Sequence, residues 1–202
     1  MSRSAIFKKI EAATAAIKVK APLPDYGLAI TQSAPRLQGG NRLEMFSNNL
    51  KAVNGRTMTS VAELAEFLTS RQQLHGYCDP VLFASIGEPL VAAGLTVETT
   101  YDRNRYDDYQ FGITRASGAI AESGTLILDD HNTSHRLAAL SPWIHVAVLD
   151  RATIHLTIAD AIGALGSCPN IIWATGPSKT ADVEGILIEG VHGPGEQIAL
   201  VL

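Results

Sequence analysis

Apolar positions along the chain repeat with two spacings, and the two spacings predict different elements. A spacing of three to four residues is typical of amphipathic helices and occurs over residues 6–17, 43–53, 61–68, 87–93 and 154–165. Short runs of apolar or β-branched residues predict strands and occur over residues 56–59, 81–84, 95–99, 111–114, 125–128, 143–149, 171–174 and 197–202. Strands separated by helices of this length indicate an α/β fold with a largely parallel sheet.

Turn-forming residues divide the chain into two parts. Prolines and glycines recur in residues 21–42, which predicts an extended arm and not a core element. We therefore expect an N-terminal helix and arm over residues 1–42 and an α/β domain over residues 43–202. Ligands of such domains bind in the loops after the carboxyl ends of parallel strands. This rule directs attention to residues 114–124, 129–136 and 175–194.

Composition and charge exclude several classes of protein. The 202 residues are 46% hydrophobic and carry a net charge of −4, so a globular domain is expected and a nucleic-acid binder is disfavoured. Cys78 and Cys168 are the only cysteines and form no CxxC or Cys/His cluster, so a cysteine-bound zinc or iron–sulfur site within this chain is not expected. Free thiols and the lack of a signal-peptide pattern predict a cytoplasmic location. No apolar run is long enough to span a membrane.

The stretch TGPSKTADVEGILIEGVHGP, residues 175–194, follows a predicted strand and is rich in polar and turn-forming residues. Thr180 is expected to cap a helix beginning near residue 181, and a helix start with a nearby lysine favours a small anion. The alternative is that the hydroxyls only cap and the lysine is solvated. The candidate anion or substrate ligands are Gly176, Ser178, Lys179, Thr180, Asp182 and Gly193.

Two further residues are candidates for acid–base or nucleophilic chemistry. His192 is framed by glycines that let a ligand approach the backbone, although it could equally be a turn histidine bonded to the backbone. Glu122 is the only charged residue between Arg115 and Asp129. It could act as a nucleophile or general base, or it could be a structural carboxylate that accepts backbone N–H bonds. His131 and His135 have a spacing that metal sites use, but a loop without metal is the preferred interpretation.

Three blocks of the sequence resemble those of a known family. The blocks GITRASGAIAESGTLIL, RLAALSPWIHVAVL and TGPSKTADVEGILIEGVHGP are similar to signature blocks of the LUD domain. The chain looks like the single-domain lactate-utilisation protein C family from about residue 111 to residue 202, with only the helix–strand rhythm matching over residues 43–100. The turn Glu122-Ser123-Gly124 is also similar to the Glu-Asn-Gly turn that carries the catalytic glutamate of coenzyme A transferases.

The resemblance implies both a fold and a role. The fold would be like that of ribose-5-phosphate isomerase, glucosamine-6-phosphate deaminase and the coenzyme A transferases. The role would be that of an accessory or substrate-handling subunit in the oxidation of L-lactate to pyruvate. Iron–sulfur partner proteins would carry the electrons, and this chain would bind a small carboxylate without a cofactor of its own. Two alternatives remain open: a stand-alone enzyme resembling coenzyme A transferases or sugar-phosphate isomerases that uses Glu122, and a non-catalytic interaction or regulatory domain.

Overall fold

The computed structural model describes residues 2–17, 40–168, 170–181 and 186–202. The chain divides into two compact units, Met1–Gln32 and Ser33–Leu202. Helix α1 (Arg3–Thr14) belongs to the first unit, and the hydroxyl of Ser2 accepts the N–H of Ala5 at its start. The predicted arm over residues 21–42 lies mostly outside the described residues. No helix among the described residues is long and apolar enough to cross a membrane.

The second unit alternates helices and strands, as the apolar spacing predicts. Its α-helices are α2 (Arg42–Ala52), α3 (Val61–Ser70), α4 (Glu88–Ala92), α5 (Arg136–Leu140) and α6 (Ile158–Ala164). Its first six strands are β1 (Arg56–Met58), β2 (His75–Cys78), β3 (Thr96–Glu98), β4 (Phe111–Arg115), β5 (Gly118–Ile120) and β6 (Thr125–Asp129). The others are β7 (Ile144–Leu149), β8 (Ile154–His155), β9 (Ile171–Ala174), β10 (Lys179–Ala181), β11 (Leu187–Glu189) and β12 (Glu196–Val201).

Six strands form the main sheet, in the order β1-β12-β7-β4-β2-β3. Every pair in this sheet is parallel, so the expected α/β fold with a largely parallel sheet is confirmed. From β2 the chain proceeds outward to β3, and it then returns to β4 on the other side of β2. The direction of winding therefore changes between β2 and β4, and this position is the topological switch point of the sheet.

A smaller sheet covers part of one face of the main sheet. It has the order β8-β5-β6-β9, with β5–β6 and β6–β9 antiparallel and β5–β8 parallel. Its residues Ala119, Leu126 and Leu128 are in one hydrophobic cluster with Phe46 and Leu50 of α2. The opposite face of the main sheet is covered by α3 and α4, whose Leu64, Leu68 and Leu90 pack with strand residues in a second cluster.

Three predicted elements are wrong. Residues 81–84 do not form a strand, because Asp79 accepts the N–H of Val81 and Pro80 starts a short 3₁₀ turn followed by a π-helix. The helix predicted from residue 154 begins only at Ile158, where Thr157 caps it, and Ile154–His155 is instead strand β8. Residues 179–181, expected to lead into a helix, form β10 and pair with β11.

Candidate functional site

A pocket of about 230 Å³ lies under the stretch that follows β9. Four of the candidate residues line it: Gly176, Ser178, His192 and Gly193. Two segments of the chain meet here, because the Ser178 N–H donates to the carbonyl of Pro194 (2.8 Å) and the Ser178 carbonyl accepts the N–H of Gly190 (2.9 Å). The structure therefore brings together in one pocket residues that are up to 17 positions apart.

Gly176 lets the chain turn into this pocket. Its φ is +77°, a region that favours glycine. A Cβ at this position would also lie 2.4 Å from the carbonyl oxygen of Val53, far inside van der Waals contact. The turn after β9 therefore packs closely against Val53 at the end of α2. A side chain at residue 176 would displace either the turn or Val53.

The inner wall of the pocket holds a buried polar network that the sequence analysis missed. His145 of β7 and Gln197 of β12 both line the pocket and are 1% and 4% exposed. The imidazole Nε2 of His145 lies 2.9 Å from the Thr114 hydroxyl, and its Nδ1 lies 2.9 Å from the Gln197 carboxamide nitrogen. Hydroxyl and carboxamide both donate and accept, so each ring nitrogen has a partner in either neutral tautomer.

The ionisation of His145 follows from this burial. Loss of hydration disfavours the imidazolium and lowers the pKa of His145 to about 4, against a smaller raising effect of the bond to Gln197. The side chain is therefore neutral at physiological pH. A polar residue at each of positions 114, 145 and 197 inside largely apolar strands was the available sequence signal. It could be interpreted only once the strand register was known.

Lys179 and Thr180 do not join the pocket. The Lys179 ammonium donates to the carbonyl of Val53 (3.0 Å) and lies 3.5 Å from the Glu189 carboxylate. Thr180 pairs with Ile188 across the β10–β11 hairpin. The geometry expected for them, a helix start presenting N–H groups to an anion, is not present because residues 179–181 are a strand. Asp182 lies outside the described residues.

Glu122 is half-buried in the turn between β5 and β6. Its Oε1 accepts the N–H of Ile158 at 2.6 Å, at the first residue of α6. The Asn49 side-chain amide donates to the carbonyls of Ala121 (2.7 Å) and Glu122 (3.1 Å), which ties the turn to α2. This is the backbone-accepting arrangement considered above as the structural alternative. A catalytic role for Glu122 stays a prediction.

A metal site at His131 and His135 was the less favoured alternative of the sequence analysis. Residues 130–135 form turns and loop, so the two histidines do not share a helix face. Among the described residues, no group of three or more His, Cys, Asp or Glu side chains is placed to hold a metal ion.

Comparison with known proteins identifies the family. The sequence profile of the LUD domain matches residues 83–202, more than half of the chain. The chain belongs to the LUD domain family. This membership agrees with the resemblance carried by the three sequence blocks, all of which lie inside the matched region.

Several proteins that are similar to this chain are named lactate utilization protein C. A lactate utilization protein C from Shouchella clausii is 37% identical over 92 residues, which cover 41% of this chain and 39% of that protein. One from Deinococcus radiodurans is 30% identical over 119 residues, 55% of this chain and 56% of that protein. The chain thus matches only about half the length of these relatives, or less.

One solved structure shows the same fold. A crystal structure of a DUF162 family protein from Deinococcus radiodurans superposes with a TM-score of 0.57 over 79% of this chain and 95% of that chain. The sequence identity is 22%, so this likeness concerns the architecture alone.

Proposed function

We propose that this LUD domain protein takes part in the utilization of L-lactate. The observation that carries the proposal is the shared sequence with proteins named lactate utilization protein C, at 30–38% identity. The region matched by the LUD domain profile, residues 83–202, contains the β5–β6 turn, the buried His145 network and the pocket after β9. A small carboxylate is the class of ligand that such a role requires.

Within this role, we propose that the chain is an accessory or substrate-handling subunit that works beside iron–sulfur proteins. Oxidation of a hydroxy acid to a keto acid releases two electrons, which need an acceptor. A four-cysteine cluster cannot be built from Cys78 and Cys168, both free thiols. Cys78 is buried, which raises the pKa of its thiol to about 12. Electron transfer would therefore fall to partner chains.

The pocket after β9 offers specific groups for this handling role. Ser178 contributes a hydroxyl, and the exposed His192 contributes an imidazole that can donate to a carboxylate. The His145–Gln197 pair forms a neutral polar wall behind them. We propose Ser178, His192 and Gly193 as the ligand-contacting residues of this pocket. Lys179 is not among them, because its ammonium is held by Val53 and Glu189.

Affinity purification under mild conditions tests the proposed partnership. The tagged chain would be isolated from its native host grown on L-lactate, with the same strain grown on glucose as the control. We expect iron–sulfur proteins to co-purify and to be enriched in the lactate culture. Deletion of the gene should also abolish growth on L-lactate as sole carbon source. A chain that purifies alone, from a host whose deletion strain grows normally on lactate, would contradict the proposal.

A further inference from the structure

Three side-chain hydroxyls form a network that ends at the pocket after β9. The Ser123 Oγ lies 2.7 Å from the Thr125 Oγ1, which in turn lies 2.7 Å from the Thr175 Oγ1. The antiparallel register of β6 and β9, in which Leu126 pairs with Ala174, places Thr125 beside Thr175. Thr175 lines the pocket, whereas Ser123 and Thr125 lie outside its lining. This hydroxyl network therefore connects the turn between β5 and β6 to the pocket.

The burial of Thr125 restricts the direction of these hydrogen bonds. Thr125 is 4% exposed, while Ser123 and Thr175 are exposed. A hydroxyl carries one proton, and a buried hydroxyl rarely leaves that proton unbonded. The Thr125 proton is therefore directed at one of its two neighbours in the network. When it is directed at Thr175, Thr125 accepts the proton of Ser123, and the proton of Thr175 is available to a molecule in the pocket.

The lining of this pocket has no fixed charge. Among the described residues that line it, there is no Asp, Glu, Lys or Arg. A carboxylate in this pocket must therefore be held by neutral N–H and O–H donors, whose hydrogen bonds are stronger when the acceptor is ionised. Such an anion stabilises the arrangement in which Thr175 donates to it and Thr125 donates to Thr175. Successive hydrogen bonds also polarise one another, so the buried hydroxyl strengthens the bond that Thr175 makes.

We propose that Thr175 is a further ligand-contacting residue of the pocket after β9 and that Thr125 is a positioning residue for it. Thr175 donates its hydroxyl proton to the bound small carboxylate, and Thr125 orients that hydroxyl. The inference rests on the proposed function, because it takes the ligand already proposed for this pocket. It deepens that function by adding one donor to those of Ser178 and His192.

Calorimetric titration of the 202-residue chain with L-lactate at pH 7.5 tests the contact made by Thr175. The variant Thr175→Val keeps the shape of the side chain and removes the hydroxyl. We expect it to weaken lactate binding by about tenfold or more, the effect of losing one hydrogen bond to a charged group. Thr96→Val is the matched control, because Thr96 is also exposed but lies in β3, at the edge of the main sheet. Its substitution should leave the affinity for lactate unchanged.

Two substitutions of Thr125 separate the effect of its hydroxyl from that of its volume. Thr125→Val removes the hydroxyl at nearly constant volume, and we expect a roughly 3- to 10-fold loss of lactate affinity, the effect of one hydrogen bond. Thr125→Ser keeps the hydroxyl and should hold the affinity within about twofold of the unmodified chain. A purely structural role predicts the opposite order, because serine lacks the methyl group that packs. Ser123→Ala should cost less than Thr125→Val, because water can replace an exposed hydroxyl.

Three results would overturn this assignment. If Ser178→Ala and His192→Asn weaken lactate binding while Thr175→Val does not, the proposed pocket stands without the hydroxyl network. If Thr125→Ser binds lactate as weakly as Thr125→Val, the hydroxyl of Thr125 has no positioning role. If the unmodified chain binds no lactate, the small carboxylate does not belong to this pocket and the inference is wrong with it. In that last case, the purification and growth experiments still decide the role in lactate utilization independently.

Discussion

A single residue, His145, can make the stability of this LUD domain protein depend on pH. Its two hydrogen-bond partners are Thr114 and Gln197. His145 is hydrogen-bonded on both ring nitrogens and fully enclosed between neighbouring strands of the main sheet. Its pKa is lowered from 6.5 to about 4 in the folded chain by burial. In the unfolded chain the imidazole regains water and its ordinary pKa.

We predict that this one imidazole lowers the free energy of unfolding as the solution is acidified. Between pH 6.5 and pH 4 the unfolded chain binds a proton at His145 and the folded chain does not. The contribution of the neutral His145 to the free energy of unfolding is therefore full above pH 6.5 and decreases as the pH falls from 6.5 to 4. The expected loss from pH 7 to pH 5 is about 2 kcal/mol, measured by urea denaturation at the two pH values.

The variant His145→Gln isolates this contribution, since glutamine is polar and does not titrate. Its free energy of unfolding should change with pH by about 2 kcal/mol less than that of the unmodified chain over the same interval. The comparison is between the slopes of the free energy of unfolding against pH in the two proteins. A lower stability of the variant at both pH values therefore does not affect it. Equal slopes would show that His145 is protonated as readily in the folded chain as in the unfolded one.

At the scale of elements, the turn between β5 and β6 is locked to helix α2. Gly124 in this turn has a φ of +67°. A Cβ there would lie 2.3 Å from the backbone nitrogen of Leu50 and 2.5 Å from the carbonyl carbon of Asn49. Both contacts are with helix backbone, which cannot move aside as a flexible side chain can. The same helix holds the turn through the Asn49 side-chain amide.

We predict that Gly124→Ala destabilises the chain by about 2–5 kcal/mol, the sum of an unfavourable left-handed conformation and a backbone clash. Gly163→Ala is the matched control. Gly163 lies within α6, has no atom within 4 Å of a built Cβ, and should gain up to about 1 kcal/mol in helix propensity. Urea denaturation of both variants measures the difference. A loss below 1 kcal/mol for Gly124→Ala would contradict the close packing of the turn on α2.

Helices and strands could be predicted from the sequence where residues within the element itself determine its structure. The apolar runs at β4, β6, β7 and β9 gave strands within about one residue of those observed. Residues 81–84 were misjudged because a short apolar run is compatible with either element. The deciding signal was Asp79-Pro80, whose carboxylate and ring start a helical turn. Residues 179–181 were misjudged because their strand depends on a partner eight or so residues further along the chain.

The candidate sites were only partly predictable for the same reason. Ser178 and His192 could be selected from one glycine-rich stretch, and the structure places both at one pocket. His145 could not, because its significance comes from its burial and from its hydrogen bonds to strands distant in the sequence.

For the whole molecule, we propose that the α/β domain folds without the N-terminal helix and arm. Among the residues that the structure describes, the members of the four buried hydrophobic clusters lie within residues 43–202. Helix α2, however, is capped by Asn41, whose side chain accepts the N–H of Leu43, and Arg42 donates to the carbonyl of Ile154. The domain boundary that preserves these bonds lies before residue 41 and not before residue 43.

We therefore predict different stabilities for two shortened chains. A chain of residues 40–202 should keep the urea midpoint of the full chain. A chain of residues 43–202 should lose about 1 kcal/mol or more, because it lacks the cap of α2 and the bond from Arg42. Circular dichroism during urea denaturation measures both. A large loss already in the 40–202 chain would show that the preceding residues are needed for the fold.

The strand order has a consequence for the way this protein is made on the ribosome. Strand β1 is translated early, yet among the described strands it pairs only with β12, and 137 residues separate Met58 from Glu196. At about 5–20 residues per second, β1 waits roughly 7 to 30 seconds for its partner to be synthesised. During that interval Met58 and the apolar face of α3 lack the strand that will cover them. Nascent chains of this protein should therefore depend on ribosome-associated chaperones until residue 201 has emerged.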